Sequence, residues 1–368
     1  MSDSTEFQFQ TLVDALLDQE TPFDPSFLHH LSDLEGDDLI LFQEVWPQVP
    51  LQRRQTLVED LLELGASDDL LSFENIGRHM IGDQDGLVRT NAVQLLWGFE
   101  ERDLIPVYIE LLNSDPVPEV RAAAATGLGL FVYHGEIDRL PNESLVKIED
   151  ALLWRAVKDR SELVQCRALE SLGYSSCDEV KPLIEAAFTS AGHEKMASAL
   201  IAMGRSMDPH WQKTVMLLLN SKIPVLRAEA ARAAGEIEIK ESVPDLIELS
   251  DDSEQIVRFA AIWSLSEIGG DQARHTLEQL FKEADDDHEA DFIESALDNI
   301  AFTDGMEPFS LFDFPKESPE DELLDMLISE DSSPESNGNG DLYSDRGGED
   351  WDTRTGDDFP GEDEDIQD

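Results

Sequence analysis

A ten-residue pattern recurs along this chain, and it constrains the fold more than any other feature of the sequence. Its fullest form is Val120-Arg121-Ala122-Ala123-Ala124-Ala125-Thr126-Gly127-Leu128-Gly129. Other copies begin at Val88, Val164, Lys195, Leu226 and Val257. Their second residues fall at 89, 121, 165, 196, 227 and 258, so the steps are 32, 44, 31, 31 and 31. A fixed period of this length means stacked supersecondary units, each burying its apolar face against its neighbours. With the first residue of each copy as position 0, positions 0, 4, 5 and 8 share one side of a helix and form its core face.

Each copy is preceded by another helical stretch and a turn rich in Asp, Ser or Pro. These first helices are expected near 68–81, 103–113, 144–158, 179–190, 209–220, 241–250 and 271–284. Pro106, Pro182 and Pro244 recur early in three of them, where the missing N–H is not needed. The surplus of the 44-residue step, around Tyr133 to Asn142, reads as an insertion loop between helices. A last helix over 287–300, with Phe292, Ser295, Ala296 and Ile300, reads as the C-terminal cap.

Upstream, short helices are expected over 7–18, from Asp24 or Ser26 to Leu31, over 37–46, and over 51–64 with Gly65 as the stop. Leu57, Val58, Leu61 and Leu62 echo the repeated helix, so this pair is a degenerate first repeat. The expected organisation is an N-terminal helical cap and degenerate repeat over 1–67, a solenoid over 68–302 and a tail over 303–368.

Charge sets the tail apart. The chain has 81 acidic and 26 basic residues, for a net charge of −55, and residues 303–368 hold 23 acidic against 3 basic. Such a segment lacks the apolar content to fold and is expected to be disordered. Two apolar islands interrupt it, Phe309–Phe314 and Leu323, Leu324, Leu327 and Ile328; the second follows Ser318-Pro319, a capping sequence for a short helix. The acidity disfavours nucleic acid and anionic membranes and favours a protein partner, a basic one in particular. No run of apolar residues reaches a bilayer-spanning length. Cys166 and Cys177 do not have metal-site spacing and read as free thiols, which together with a non-basic N-terminus points to the cytoplasm.

The pattern Val-Arg-x-x-Ala-Ala-x-x-Leu-Gly, with Asp shortly before it and a period near 31, resembles the HEAT family, most of all the short HEAT-like repeats also present in phycobilin lyase subunits. The resemblance covers residues 68–300. It implies an all-α, right-handed α-α superhelix, a HEAT-like solenoid, with the second helices on its concave side. It also implies an Asp–Arg ladder along the turns. Here that ladder would be incomplete around Gln165 and Met196, where the Arg position is lost.

On such a solenoid, positions 2, 6 and 10 point away from the core face and would floor the concave surface. There the sequence places Tyr174, Ile201, Arg205, Arg232, Phe259 and Trp263, a mixture of aromatic and cationic residues typical of interfaces. The expected function is a non-catalytic scaffold or adaptor that binds a protein or peptide along residues 174–263 and needs no cofactor. Intramolecular docking of the acidic tail on the same groove is a corollary.

The alternative is a subunit of a phycobilin-type chromophore lyase or similar modifying factor. Deoxyhypusine hydroxylases are also HEAT-like and bind two irons through several His-Glu pairs. Only two such pairs occur here, His193-Glu194 and His288-Glu289, about three repeats apart. There is no GxxxxGK[ST] or HExxH stretch.

Overall fold

Residues 8–284 and 286–305 are described by the computed structural model, with side chains to Phe302. Every regular element among them is helical. Three helices come first: α1 (Phe9–Leu17), α2 (Gly36–Val45) and α3 (Leu51–Ser67). Seven pairs follow. They are α4 (Glu74–Met80) with α5 (Gly86–Leu95), α6 (Leu104–Ser114) with α7 (Pro118–Glu136), α8 (Asn142–Lys158) with α9 (Glu162–Leu172), and α10 (Val180–Phe188) with α11 (His193–Arg205). Then come α12 (Gln212–Leu218) with α13 (Pro224–Glu236), α14 (Val243–Leu249) with α15 (Gln255–Ile268), and α16 (Asp271–Glu283) with α17 (Asp287–Gly305). The molecule is an α-α solenoid.

The register read from the sequence is the register of the core. Val120, Ala124, Ala125 and Leu128 of α7 are fully buried, as are Val257, Ala261, Ile262 and Leu265 of α15. The glycine at position 9 has a packing reason. A Cβ on Gly173 would lie 2.8 Å from the Ala202 Cα, and one on Gly235 would lie 2.9 Å from the Ser264 Cα. Successive second helices therefore meet backbone to backbone, position 9 of one against position 7 of the next. Ser171 and Ser264 use that proximity to donate to the carbonyls of Ala125 and Ala231, at 2.8 and 2.7 Å. First helices carry larger apolar residues and touch their successors sparsely. The more closely spaced layer lies on the inside of a curve, so the second helices line the concave side.

Three expectations need correction. First, the surplus of the 44-residue step is not an insertion loop. It lengthens α7 to 19 residues and α8 to 17, because Phe131, Val132 and His134 continue the buried face of α7. Second, α4 starts at Glu74 rather than Asp68. The Asp68 carboxylate accepts the Leu70 N–H at 3.0 Å and holds a turn there instead. Third, α3 runs through Gly65 to Ser67. The N-terminal helices share one hydrophobic core with α4 and α5, from Phe9 to Ala92. The tail islands lie outside the described residues.

Arginines at position 1 tie each repeat to the next. Arg89 grips Asp115 with two hydrogen bonds of 2.8 Å, and Arg121 grips Asp159 at 3.0 and 2.8 Å. Arg227 does the same to Asp252 at 2.8 and 2.9 Å, and Arg258 reaches Glu289 at 3.2 Å. Each also donates to a carbonyl of its own turn, as Arg89 does to Asp83 and Arg227 to Ser221. Arg54 extends the series backwards by pairing with Asp83, which places α3 in register with the repeats. The ladder is interrupted where the sequence says, and the acid is lost with the base. Gln165 stands where an Arg would face position 190, which is Ser190, and Met196 where one would face Ser221. Gln165 keeps only the link to its own turn, through the Asp159 carbonyl at 2.7 Å. The buried Ser190 hydroxyl has no hydrogen-bond partner among the described residues.

Candidate functional site

A second helix of this stack is flanked on three sides, by its own first helix and by the second helices before and after it. Only a narrow strip of it opens inward. Position 6 lies at the middle of that strip and position 10 at its edge; position 2 does not reach it. Ala122, Cys166, Ala197, Ala228 and Phe259, all at position 2, are buried. Phe259, expected on the groove floor, is 2 % exposed. Its ring stacks on Phe292 with centroids 4.6 Å apart and on His288 at 5.8 Å, so it joins α15 to the cap helix. Trp263, one turn on, is half-buried and stays on the inner strip with Ile201.

The middle of the strip carries a polar seam. Glu170, at position 6 of α9, is buried and accepts two hydrogen bonds from Arg167 at 2.9 and 2.7 Å and one from Ser198. The Glu170 carboxylate holds the Arg167 pKa above its ordinary value, against the opposing effect of burial. Arg232 lies 3.5 Å from Glu229, whose side chain is 1 % exposed. Arg232 thus serves a buried ion pair and offers little of itself to a partner. Burial raises the Cys166 thiol beside this seam.

Tyr174 and Arg205 are brought together. The Arg205 guanidinium sits 5.0 Å from the Tyr174 ring centroid, a cation–π contact. Tyr133 meets Tyr174 edge to face at 5.7 Å and is 40 % exposed. With Thr126, Gly129 and Leu130, these residues line a cavity of about 230 Å³ across α7, α9 and α11. The cavity thus overlaps the N-terminal end of the expected groove at 174–263 and extends beyond it to Thr126. Thr126 and Leu130 are positions 6 and 10 of the copy that begins at Val120. Tyr133 was missed because it lies beyond the ten-residue register, on the extra turn that lengthens α7. The signal for it was the 44-residue step itself.

The His-Glu pairs are spent elsewhere. Glu289 takes the ladder arginine Arg258, His288 stacks on Phe259, and His193-Glu194 opens α11 at the surface. Among the described residues no group of three or more His, Cys, Asp or Glu gathers as a metal site. No described helix is long and apolar enough to cross a membrane.

The family pattern of HEAT repeats matches residues 77–141 and 212–297. Those two stretches carry HEAT repeats. The match is to HEAT repeats in general and does not distinguish the lyase subtype. Its two parts leave 142–211 between them, the stretch where the ladder is interrupted and which supplies Tyr174 and Arg205 to the cavity. Among curated proteins none matches the chain. Several solved structures are similar to it. The YibA protein of E. coli has 17 % identity over 66 % of this chain and 95 % of its own, with a TM-score of 0.30. Human deoxyhypusine hydroxylase has 17 % identity over 71 % and 95 %, with a TM-score of 0.32. A designed armadillo repeat protein in complex with a (KR)4 peptide has 20 % identity over 53 % and 99 %, also with a TM-score of 0.32.

Proposed function

We propose that this HEAT-repeat chain is an interaction scaffold that captures a segment of a protein partner along the inner strip of its second helices, from Tyr133 to Trp263. The observation that carries this reading is the Tyr133–Tyr174–Arg205 cavity. Two tyrosines with ring planes 61° apart supply rigid apolar surface at small entropic cost, and the guanidinium beside them supplies a directional donor. Arg, Tyr and Trp dominate the energetics of known interfaces. Ile201 and Trp263 continue the apolar part of the strip. Phe259 and Arg232 are not contact residues in this proposal.

The test is a paired capture experiment. The intact chain and a Tyr174→Ala, Arg205→Glu variant are used as bait under the same conditions. Bound proteins are compared for stoichiometric partners, and the affinity of any partner found is then measured. A partner lost from the variant, or weakened about tenfold or more, supports the groove, provided that circular dichroism shows an unchanged helix content. A partner held equally by both baits removes it.

A further inference from the structure

We infer that the groove has a resident ligand, the acidic, leucine-containing segment 318–328 of this same chain, which external partners must displace. This rests on the reading of the inner strip as a peptide groove. The chemistry matches on both counts. The segment pairs Leu323, Leu324, Leu327 and Ile328 with Glu320, Asp321, Glu322 and Asp325. The strip pairs Leu130, Tyr133, Tyr174 and Ile201 with Arg205.

Charge decides where on the solenoid an acidic segment can settle. Residues 118–211, which supply the second helices α7, α9 and α11 around the cavity, carry 14 acidic and 10 basic residues, whereas residues 212–297 carry 19 and 8. The cavity therefore lies in a stretch that repels a polyanion less than the C-terminal repeats between it and the tail do. The covalent tether also allows the contact. Leu323 follows Gly305 by 18 residues, which span up to about 60 Å when extended. From α17 to α11 is three second-helix spacings, about 30 Å at about 10 Å each. A tether of this kind gives an effective concentration on the order of a millimolar. A segment with an intrinsic Kd of about 0.1–1 mM would then fill the groove about half to nine-tenths of the time. It would weaken an external ligand about two- to tenfold.

The probe is a fluorescent synthetic peptide of residues 316–330. It is titrated into the intact chain and into a full-length Leu323→Glu, Leu327→Glu variant, whose own segment is disabled. The probe should bind the variant about two- to tenfold more tightly than the intact chain, and Arg205→Glu placed in that variant should abolish the gain. Equal affinity for both chains, or no binding to either, overturns the inference. In parallel, a photocrosslinking residue in place of Leu327 in the full-length chain should label peptides containing Tyr174 or Arg205 within the same molecule. Labels confined to other helices, or found only between two chains, also overturn it. If capture of an external partner still depends on Tyr174 and Arg205 while the probe fails to bind, the groove stands and only its resident ligand is lost.

Discussion

Asp159→Asn is the substitution that tests the ladder most directly. The Asp159 side chain is 1 % exposed and accepts from Arg121 twice, from Arg155 at 3.0 Å and from the Ser161 N–H at 2.9 Å. Burial works to raise its pKa, but the Arg121 hydrogen bonds, the Ser161 amide and Arg155 outweigh it and bring the group to about 2 from 3.8. A carboxylate whose pKa is depressed on folding stabilises the fold above its unfolded pKa and loses that effect as pH falls through the folded value. The shift corresponds to about 2 kcal/mol at pH 7, of which about half is left at pH 3. Asparagine keeps an oxygen for Ser161 but turns an NH₂ donor toward the arginine donors. Urea titrations of both proteins at pH 7 and pH 3, with hydrogen exchange read on α7 and α9, give the stability gap. It should be about 2–3 kcal/mol at pH 7 and should shrink by about 1 kcal/mol at pH 3. A gap that is absent at pH 7, or of the same size at both pH values, would refute the assignment of this stability to an ionised Asp159.

Three further outcomes follow from the packing. Gly235→Ala should cost about 1–3 kcal/mol in a urea titration, because the new methyl meets the Ser264 backbone and two second helices must separate. Phe259→Ala should cost about 3–5 kcal/mol and Trp263→Ala much less, while only Trp263→Ala weakens partner capture; the reverse order would restore Phe259 to the groove. Gln165→Arg and Ser190→Asp should each destabilise alone, since each buries a charge lacking its mate. Together they should show a favourable coupling of about 1–3 kcal/mol in a double-mutant cycle, and purely additive effects would mean that the two positions do not face each other.

The solenoid was legible because its rule is local and repeated. Val, Ala, Ala and Leu at positions 0, 4, 5 and 8 must face inward wherever they occur, so one register describes each copy. Even the ladder interruption could be read, from Gln165 and Met196. The site was harder because exposure depends on neighbours that a single helix does not contain. Phe259 and Trp263 are one turn apart and look equivalent on a helical wheel, yet Phe292 of α17 covers the first and leaves the second half-buried. Arg232 read as an open cation because its partner, Glu229, sits at position 3, about 20° from position 10 on the wheel, a place where a single helix gives no sign of burial. Tyr133 lay outside the register altogether.

The two missing ladder rungs have a mechanical consequence. On either side of them, Arg121 and Arg227 cross-brace neighbouring turns with paired hydrogen bonds to Asp159 and Asp252. At the junctions of α9 with α11 and of α11 with α13 that bracing is absent, and across the first of them Lys195 reaches Glu162 at 3.4 Å and Ser198 donates to Glu170 instead. A ligand lodged in the cavity would touch α7, α9 and α11 together and so supply, across the first of these junctions, a cross-link in place of the missing rung.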